Sequence, residues 1–300
     1  MLVREGYHGL PLAMPHVPGI DVVGKVESTG TAVEGLNPGE RVMANTTYGC
    51  GNCKDCFANN EVLCSQWKII GLNVWGSYGE LVKVPASVIM KPPEGYRATE
   101  LAAMPISLSV SWRALRTVAD AQEGETVAIR GASGNTGLFA IMLAKAMKLN
   151  VIALSRAGDK LDDLKKVGAN YVVDSTKLPE DVKREVLALT GGKGAEIVLE
   201  PFGAPLNDSL GLAGQGGRIV SYGALTGAES QVSVKTLYLK SLKVFGIHNA
   251  NKKEFVDAFA FAAGHNIRPI IAKTLKIEDA KEAHRLLQEA KIFGKILLEH

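Results

Sequence analysis

The four cysteines of this 300-residue chain lie close enough in sequence to hold one metal ion. Cys50, Cys53, Cys56 and Cys64 form a C-x2-C-x2-C-x7-C pattern. Four thiolates with this spacing can surround a Zn²⁺ ion tetrahedrally, which leaves no open position for water or substrate. The alternatives are free thiols or two disulfides, and disulfides fit poorly because the chain otherwise avoids cysteine, as proteins of reducing compartments do. The pattern therefore predicts one structural zinc in a lobe of about residues 49–65.

A glycine-rich segment has the composition of a dinucleotide-binding loop. It follows the apolar run 126–130, opens into a helical stretch, and reads Gly131, Ala132, Ser133, Gly134, Asn135, Thr136 and Gly137. Glycine allows a tight turn and a close approach of the backbone to a pyrophosphate, while the helix N-terminus supplies N–H groups. Because Ala132 departs from the G-x-G-x-x-G spelling, the prediction rests on the strand-then-helix context, and a plain glycine-rich turn is the alternative.

The residues at the end of the second strand predict the choice of cofactor. An NAD site has Asp or Glu there, whereas this chain has Ser155 and Arg156, with Lys160 just beyond. A hydroxyl and a guanidinium suit a 2′-phosphate, which a carboxylate would repel, so we predict NADP(H) in preference to NAD. The alternative is that Ser155 caps the next helix and Arg156 is a solvated surface residue. Gly203 and Gly223 follow two later strands and are two further predicted cofactor residues.

Two segments with different residue patterns indicate the secondary-structure elements that position these residues. The first 95 residues are β-rich and irregular, with strand-like segments at 20–27, 41–44, 80–83 and 87–91. From about residue 107, helical stretches (135–148, 160–167 and 180–189 among them) separate six apolar strands, at 126–130, 151–154, 171–173, 197–199, 218–222 and 242–247. This alternation predicts an α/β fold with a doubly wound parallel sheet. The tail, with helices near 252–264 and 278–290 and a strand at 295–298, is predicted to return to the first domain.

The overall charge and hydropathy exclude several classes of protein. The 34 basic and 31 acidic residues are interspersed, so no basic stripe indicates nucleic-acid binding. The apolar runs are too short for a membrane span. The start of the chain is charged at once and resembles neither a signal nor a transit peptide. We therefore predict a soluble cytoplasmic protein.

Several further motifs give the chain a resemblance to a known family. With the zinc lobe and the dinucleotide loop, it resembles the medium-chain dehydrogenase/reductase superfamily of zinc-type alcohol dehydrogenases and quinone oxidoreductases. The resemblance covers essentially the whole length, and its other motifs are Pro18-Gly19-Ile20-Asp21, Leu36-x-Pro38-Gly39-Glu40-Arg41-Val42, Gly76-Ser77-Tyr78-Gly79-Glu80, Gly216-Gly217-Arg218-Ile219-Val220 and Gly294-Lys295. It implies a GroES-like β-rich catalytic domain over residues 1–106, a Rossmann domain over 107–247, and a return to the catalytic domain over 248–300.

The departures from the family pattern bear on the metal. Zinc-dependent members have a histidine ligand where this chain has Ile20, and another ligand where it has Ile106. The remaining ligand of the family, a cysteine, lies upstream of the sequence, and either a trimmed N-terminus or an internal start of a longer frame would explain this. Isoleucine cannot bind a metal ion, so the resemblance predicts a variant without a catalytic zinc. Ile20 and Ile106, with Trp75 as an aromatic wall, are the predicted substrate pocket.

The resemblance also suggests which residues act on the substrate. Hydride transfer from NADPH can proceed without a metal if oriented donors stabilise the acceptor oxygen. By position in the family, Thr46 and Tyr78 face the substrate and are the candidate catalytic donors. The alternatives are that Tyr78 and Trp75 are core aromatics and Thr46 a plain strand residue. Asp21 is expected to pair with a buried base, and Lys295 to reach the pyrophosphate unless it is an ordinary strand lysine.

These residues predict an alcohol dehydrogenase-like NADP(H)-dependent oxidoreductase that acts on a bulky hydrophobic ketone or aldehyde without a catalytic zinc. The first alternative is a reductase of quinones, enones or enoyl thioesters. An alternative of another class is a non-catalytic NADPH-binding protein. The expected partner is a small hydrophobic carbonyl compound. The resemblance also implies a homodimer or homotetramer, formed through the apolar last strand of the Rossmann sheet at 242–247.

Overall fold

A computed structural model describes residues 3, 4, 6, 12–156, 160–289 and 292–300. The chain divides into two compact units. The first unit combines Met1–Ser109 with Asn249–His300, and the second is Val110–His248.

Short strands and helices make up both units. In the described residues the strands are β1 (Val23–Lys25), β2 (Arg41–Ala44), β3 (Thr47–Tyr48), β4 (Lys68–Ile69), β5 (Ile89–Met90), β6 (Thr126–Arg130), β7 (Asn150–Ser155), β8 (Tyr171–Asp174), β9 (Ala195–Glu200), β10 (Ala213–Ser221), β11 (Lys243–Gly246), β12 (Ile271–Lys276) and β13 (Lys295–Glu299). The α-helices there are α1 (Lys54–Phe57), α2 (Ala98–Ala102), α3 (Pro105–Trp112), α4 (Asn135–Ala146), α5 (Lys160–Val167), α6 (Pro179–Leu189), α7 (Leu206–Leu212), α8 (Val234–Leu239), α9 (Lys252–Gly264) and α10 (Ala280–Gln288). A π-helical segment, Arg113–Val118, directly follows α3.

The second unit is built on a six-stranded sheet in the order β11-β10-β9-β6-β7-β8. All its neighbouring strands are parallel, which confirms the predicted doubly wound sheet. The central strand β6 is buried on both faces, since Val127, Ala128 and Ile129 have no exposed surface. The order of the strands reverses beside β6, and ligands of open α/β sheets bind outside the carboxyl ends of the strands at such a point.

The first unit contains smaller sheets. An antiparallel sheet has the order β1-β2-β5, β3 pairs with β4, and β12 pairs in parallel with β13. Two predictions for this unit need correction. The predicted strand at 80–83 has no regular structure, because it pairs with no other described strand and leaves Leu81 72% exposed before Pro85. The predicted strand at 20–27 is limited to Val23–Lys25.

Within the described part of the chain, the helices are too short or too polar to cross a membrane.

Candidate functional site

The loop between β6 and α4 is shaped by very close backbone contacts. Gly131 has a φ of +66°, which favours glycine, and Ala132 is fully buried with its N–H on the Leu154 carbonyl at 3.1 Å. A Cβ on Gly137 would lie 2.5 Å from the carbonyl oxygen of Gly131, so α4 can pack against the loop only because residue 137 has no side chain. No side-chain hydrogen bond caps the amino end of α4 at Gly134. This is the geometry of a phosphate-binding helix end, and it fits a dinucleotide.

The end of β7 brings two of the predicted cofactor hydroxyls together. Ser155 is buried, and its Oγ donates to Oγ of Ser133 at 2.9 Å. Arg156 follows on the exposed surface. Residues 157–159 and the side chain of Lys160 lie outside the described residues, so its predicted role is not addressed. The end of β7, from which the cofactor preference was predicted, therefore has the Ser155 hydroxyl with the Ser133 hydroxyl beside it.

The other predicted cofactor residues of the second unit lie along the same edge of the sheet. Gly203 and Gly223 come just after the carboxyl ends of β9 and β10, and β9 is the neighbour of β6 in the sheet. The backbone of Thr136 accepts a hydrogen bond from Ser111 Oγ at 2.9 Å, which ties α4 to the end of α3. These predicted residues thus lie near the carboxyl ends of strands of one parallel sheet.

Sequence reasoning missed a buried ion pair at this edge. Glu200, at the end of β9, is fully buried, and its Oε2 lies 3.0 Å from Arg130 Nη1 and also contacts the Ser209 hydroxyl. Its Oε1 accepts from the N–H groups of Phe202 and Gly203. Burial raises the pKa of Tyr222, and the Glu200 charge raises it further. A charged residue at the end of each of two neighbouring buried strands was the signal that could have predicted the pair.

In the first unit, both oxygens of Asp21 are occupied. Oδ1 accepts the Ile106 N–H at 2.9 Å, and Oδ2 accepts Lys295 Nζ at 2.6 Å. The expectation that Asp21 pairs with a base is thus confirmed. Lys295 was predicted to reach the pyrophosphate. In the structure its ammonium is paired with Asp21, and the pyrophosphate contact stays a prediction. Ile20 precedes Asp21 in sequence, and Ile106 is its hydrogen-bond partner. Both isoleucines are half-buried.

A crossing of two chain segments fixes Tyr78 beside the Pro18-Gly19 turn. The N–H groups of Ser77 and Tyr78 donate to the carbonyls of Gly19 and Pro18 at 3.0 and 2.9 Å. A Cβ on Gly76 would lie only 2.1 Å from the Gly19 carbonyl oxygen. The Pro-Gly-Ile-Asp and Gly-Ser-Tyr-Gly motifs are therefore the two halves of one backbone contact.

The aromatic candidates have different environments. Tyr78 is half-buried, and its Oη lies 3.2 Å from His284 Nε2. Burial raises the pKa of Tyr78, and the nearby charge of Asp21 raises it further. Trp75 is 61% exposed, and its Nε1 donates to the Pro15 carbonyl at 3.2 Å. The alternative of Trp75 as a core aromatic is therefore wrong.

Thr46 is held by a residue that sequence reasoning did not single out. Its side chain is fully buried, and Oγ1 accepts from Asn249 Nδ2 at 2.6 Å. Asn249 adopts a φ of +66° and also accepts from the Ala250 N–H through Oδ1. Since a threonine hydroxyl both accepts and donates, this contact leaves the Thr46 proton to donate elsewhere.

The four cysteines meet at one point of the first unit. Their Sγ atoms all lie within 4.8 Å of one another, and four thiolates around zinc are about 3.8 Å apart when each Zn–S bond is about 2.3 Å. Backbone N–H groups of Cys50 and Gln66 donate to Cys64 Sγ at 3.3 and 3.4 Å. These two hydrogen bonds lower the pKa of Cys64 to about 7, and the one from Cys50 has the larger effect. The donor set fits a zinc ion bound as a structural metal.

Comparison with known sequence families agrees with this geometry. Residues 1–94 match the family described as the alcohol dehydrogenase GroES-like domain. Residues 136–264 match the family described as zinc-binding dehydrogenase.

Individual relatives are similar over nearly the whole chain. An alcohol dehydrogenase of Geobacillus stearothermophilus is 30% identical, with 95% of this chain and 83% of the relative aligned. An acryloyl-coenzyme A reductase of Sulfurisphaera tokodaii is 27% identical, over 100% of this chain and 87% of the relative. Among solved structures, that of an NAD-dependent alcohol dehydrogenase is similar with a TM-score of 0.93 and 32% identity, and the match covers 100% of this chain and 87% of the other.

Proposed function

This chain is an NAD(P)-dependent oxidoreductase of the medium-chain dehydrogenase/reductase superfamily, and on that premise we propose that it uses NADPH to reduce a bulky hydrophobic ketone or aldehyde. The proposed reaction needs no catalytic zinc. The observation that carries the proposal is the surroundings of Asp21, where its carboxylate is held by the Ile106 N–H and by Lys295. The side chains of Ile20 and Ile106, at positions that the family resemblance assigns to zinc ligands, contain no atom that could bind a metal.

The contacts of Asp21 support a reaction without a metal at this place. A carboxylate at such a place needs a neighbouring cation or hydrogen-bond donors. Here the Ile106 N–H donates to one oxygen of Asp21 and the Lys295 ammonium to the other. The side chains of the neighbouring residues Ile20 and Ile106 are entirely hydrocarbon. An apolar surface of this kind favours a bulky hydrophobic acceptor over a small alcohol.

The end of β7 supports NADPH as the reductant. The hydroxyls of Ser133 and Ser155 lie together, with the Arg156 guanidinium next in the chain, and this set can donate to a 2′-phosphate. When bound, NADPH supplies the hydride. The loop from Gly131 to Gly137 would hold the pyrophosphate through its N–H groups and the end of α4.

In the proposed mechanism, Tyr78 and Thr46 stabilise the charge that develops on the acceptor oxygen. Before the reaction the Tyr78 phenol carries its proton, because burial and the Asp21 charge raise its pKa. The Thr46 hydroxyl is oriented by Asn249, which donates to it. Donors fixed in this way stabilise an oxyanion without reorganisation at the moment of reaction.

A second candidate is reduction of the C=C bond of an enoyl thioester, or of a quinone or enone. Acryloyl-coenzyme A reductases of two organisms are 27% and 29% identical over nearly the whole chain, which favours the thioester within this group. In that reaction the same donors would stabilise an enolate oxygen.

NADPH oxidation by the purified full chain tests these proposals. The acceptors are linear aldehydes, cyclic and aryl ketones, quinones and enoyl thioesters, and primary alcohols are tested with NADP⁺, all without added metal. We expect turnover of ketones or of large aldehydes, whereas turnover confined to thioesters or quinones would support the second candidate. Fast oxidation of primary alcohols would contradict a reaction without zinc. Tight NADPH binding with no turnover of any acceptor would instead indicate a non-catalytic NADPH-binding protein.

We also propose that the chain assembles into a homodimer or homotetramer through the edge strand β11. This strand ends the sheet order of the second unit and leaves Val244 exposed, and an unpaired apolar edge favours pairing with another strand. Light scattering of the wild type and of Val244→Glu tests this, since the variant should shift the mass to that of one chain. A single-chain mass for the wild type would contradict it.

A further inference from the structure

Tyr78 and His284 form a pair of titratable side chains from distant parts of the first unit. His284 lies on α10, is half-buried, and has its Nε2 at 3.2 Å from Tyr78 Oη. The two rings are tilted by 58° with centroids 5.9 Å apart, so their contact is a hydrogen bond through the edges rather than stacking.

The surroundings of Tyr78 make the phenol alone a poor acid. Burial and the carboxylate of Asp21 both disfavour a phenolate at this place. A phenol that gives up a proton here therefore needs a second group that replaces the proton at once. His284 is at hydrogen-bond distance from the oxygen, and an imidazole is the side chain best suited to carry a proton near neutral pH.

We propose that His284 is the proton relay for Tyr78 in carbonyl reduction, an inference that rests on the proposed function. Protonated His284 donates Nε2–H to Tyr78 Oη, which leaves the phenol O–H to point to the acceptor oxygen. Hydride adds to the carbonyl carbon, and the electron pair of the C=O π bond moves to the oxygen. The oxygen takes the Tyr78 proton, Tyr78 takes the proton on Nε2, and neutral His284 is reprotonated from water.

In this scheme Tyr78 is the catalytic residue and His284 a positioning and relay residue that acts through it. Removal of His284 should therefore lower kcat and leave the binding of NADPH unchanged, since the predicted cofactor loop lies on the second unit. Removal of both side chains should cost no more than removal of Tyr78 alone.

The experiment uses the acceptor that gives the fastest NADPH oxidation. We compare His284→Ala, the second variant His284→Asn, Tyr78→Phe and the Tyr78→Phe/His284→Ala double variant at saturating NADPH. His265→Ala is the matched control, because His265 is an exposed histidine at the end of α9. We expect kcat to fall about a hundredfold in either His284 variant, a typical contribution of general acid catalysis, while the control keeps full activity. Added imidazole should restore much of the kcat of His284→Ala, and none of that of Tyr78→Phe.

The outcomes separate the relay from the proposed function. An active wild type whose His284 variants keep full kcat, or whose His284→Ala variant gains nothing from imidazole, overturns the relay and leaves the proposed function standing. Losses that add up in the double variant overturn it as well. A wild type that oxidises NADPH with none of the acceptors overturns the proposed function and the relay together.

Discussion

Asp21 illustrates how single residues of this chain are fixed by partners far away in sequence. Its side chain is 13% exposed and that of Lys295 is 25% exposed, so water screens the pair weakly. The loss of one partner of such a pair leaves the other as an uncompensated charge in a poorly solvated place. The pair therefore contributes to stability mainly through the cost of its disruption.

Asp21→Asn should destabilise the first unit more than a matched loss of charge at the surface. Asparagine keeps an oxygen for the Ile106 N–H but leaves Lys295 without a counter-charge. We expect a loss of about 1–3 kcal/mol in the free energy of unfolding, typical of a hydrogen bond between charged groups. The control is Asp257→Asn, which removes the exposed partner of Lys253 on α9 and should cost less than about 0.5 kcal/mol. Urea unfolding measures both, and equal losses would contradict a special role of the Asp21 pair.

Ser155→Asp should reverse the preference between the two nicotinamide cofactors. The new carboxylate would repel a 2′-phosphate and accept from a ribose 2′-OH, so NADPH affinity should fall about tenfold or more, which is about 1.4 kcal/mol. Ser241→Asp introduces the same charge at the amino end of β11, where it should change neither affinity. Fluorescence titration with NADPH and NADH gives the dissociation constants. An unchanged NADPH affinity in Ser155→Asp would contradict NADP(H) as the cofactor.

The sequence predicts the type of these contacts better than their partners. Asp21 was expected to find a base, yet the base is 274 positions away in the chain, and Asn249 is 203 positions from Thr46. No local pattern carries information on such pairs. The cysteine cluster was predictable because its ligands are close in sequence and share one chemistry.

At the scale of elements, backbone crossings rather than long strands shape the first unit. The segments around Gly19 and Gly76 cross so closely that a Cβ on Gly76 would also lie 2.6 Å from the Pro18 carbonyl oxygen. Both sides of this contact are backbone, which cannot move aside as a flexible side chain can. The crossing therefore sets the position of Tyr78 relative to Asp21.

Gly76→Ala should disrupt this crossing, and Gly24→Ala should not. The first variant forces backbone atoms apart and should cost about 2 kcal/mol or more, at the upper range of overpacking. Gly24 lies in β1 with nothing within 4 Å of a Cβ, so alanine there should be neutral or stabilise by about 0.5 kcal/mol. Urea unfolding and kcat are measured for both. A Gly76→Ala protein as stable and active as Gly24→Ala would show that the crossing is not needed.

Strands and helices could be predicted where a single local sequence pattern determined them. The sequence predicted the six strands of the parallel sheet from their apolar runs. The exception is the first half of β10, which begins at Ala213 rather than Arg218 and was missed because residues 214–217 are glycines and a glutamine. The segment of α3 alternates apolar residues with serines and therefore lacks a helical period. It is nevertheless helical, and the Ser109 hydroxyl donates a hydrogen bond to the Pro105 carbonyl oxygen, 2.6 Å away. The strand β12 was missed because it exists only by pairing with β13 further along the chain.

At the scale of the whole molecule, the cysteine lobe is tied to the segment where the chain returns to the first unit. Asn251 accepts the Val62 N–H at 3.1 Å and donates to Asn60 Oδ1 at 3.1 Å. The same residue begins α9 in a capping box with Glu254. A metal that orders the lobe would therefore also stabilise the start of α9.

Cys53→Ser should remove the metal and destabilise the first unit while the second keeps its cofactor site. Elemental analysis of the wild type should give one zinc per chain, since the four cysteines are the metal-binding group that the described residues bring together. Because binding energy of a structural zinc is folding energy, the variant should lose the zinc and unfold at a lower temperature. Its NADPH dissociation constant should stay unchanged, because the predicted cofactor loop lies on the second unit. Ser65→Ala, an exposed neighbour in the lobe, should keep both the zinc and the melting temperature. Two zinc ions per wild-type chain would contradict the proposal of a metal-free reaction, and an unchanged melting temperature in Cys53→Ser would contradict a structural role for the lobe.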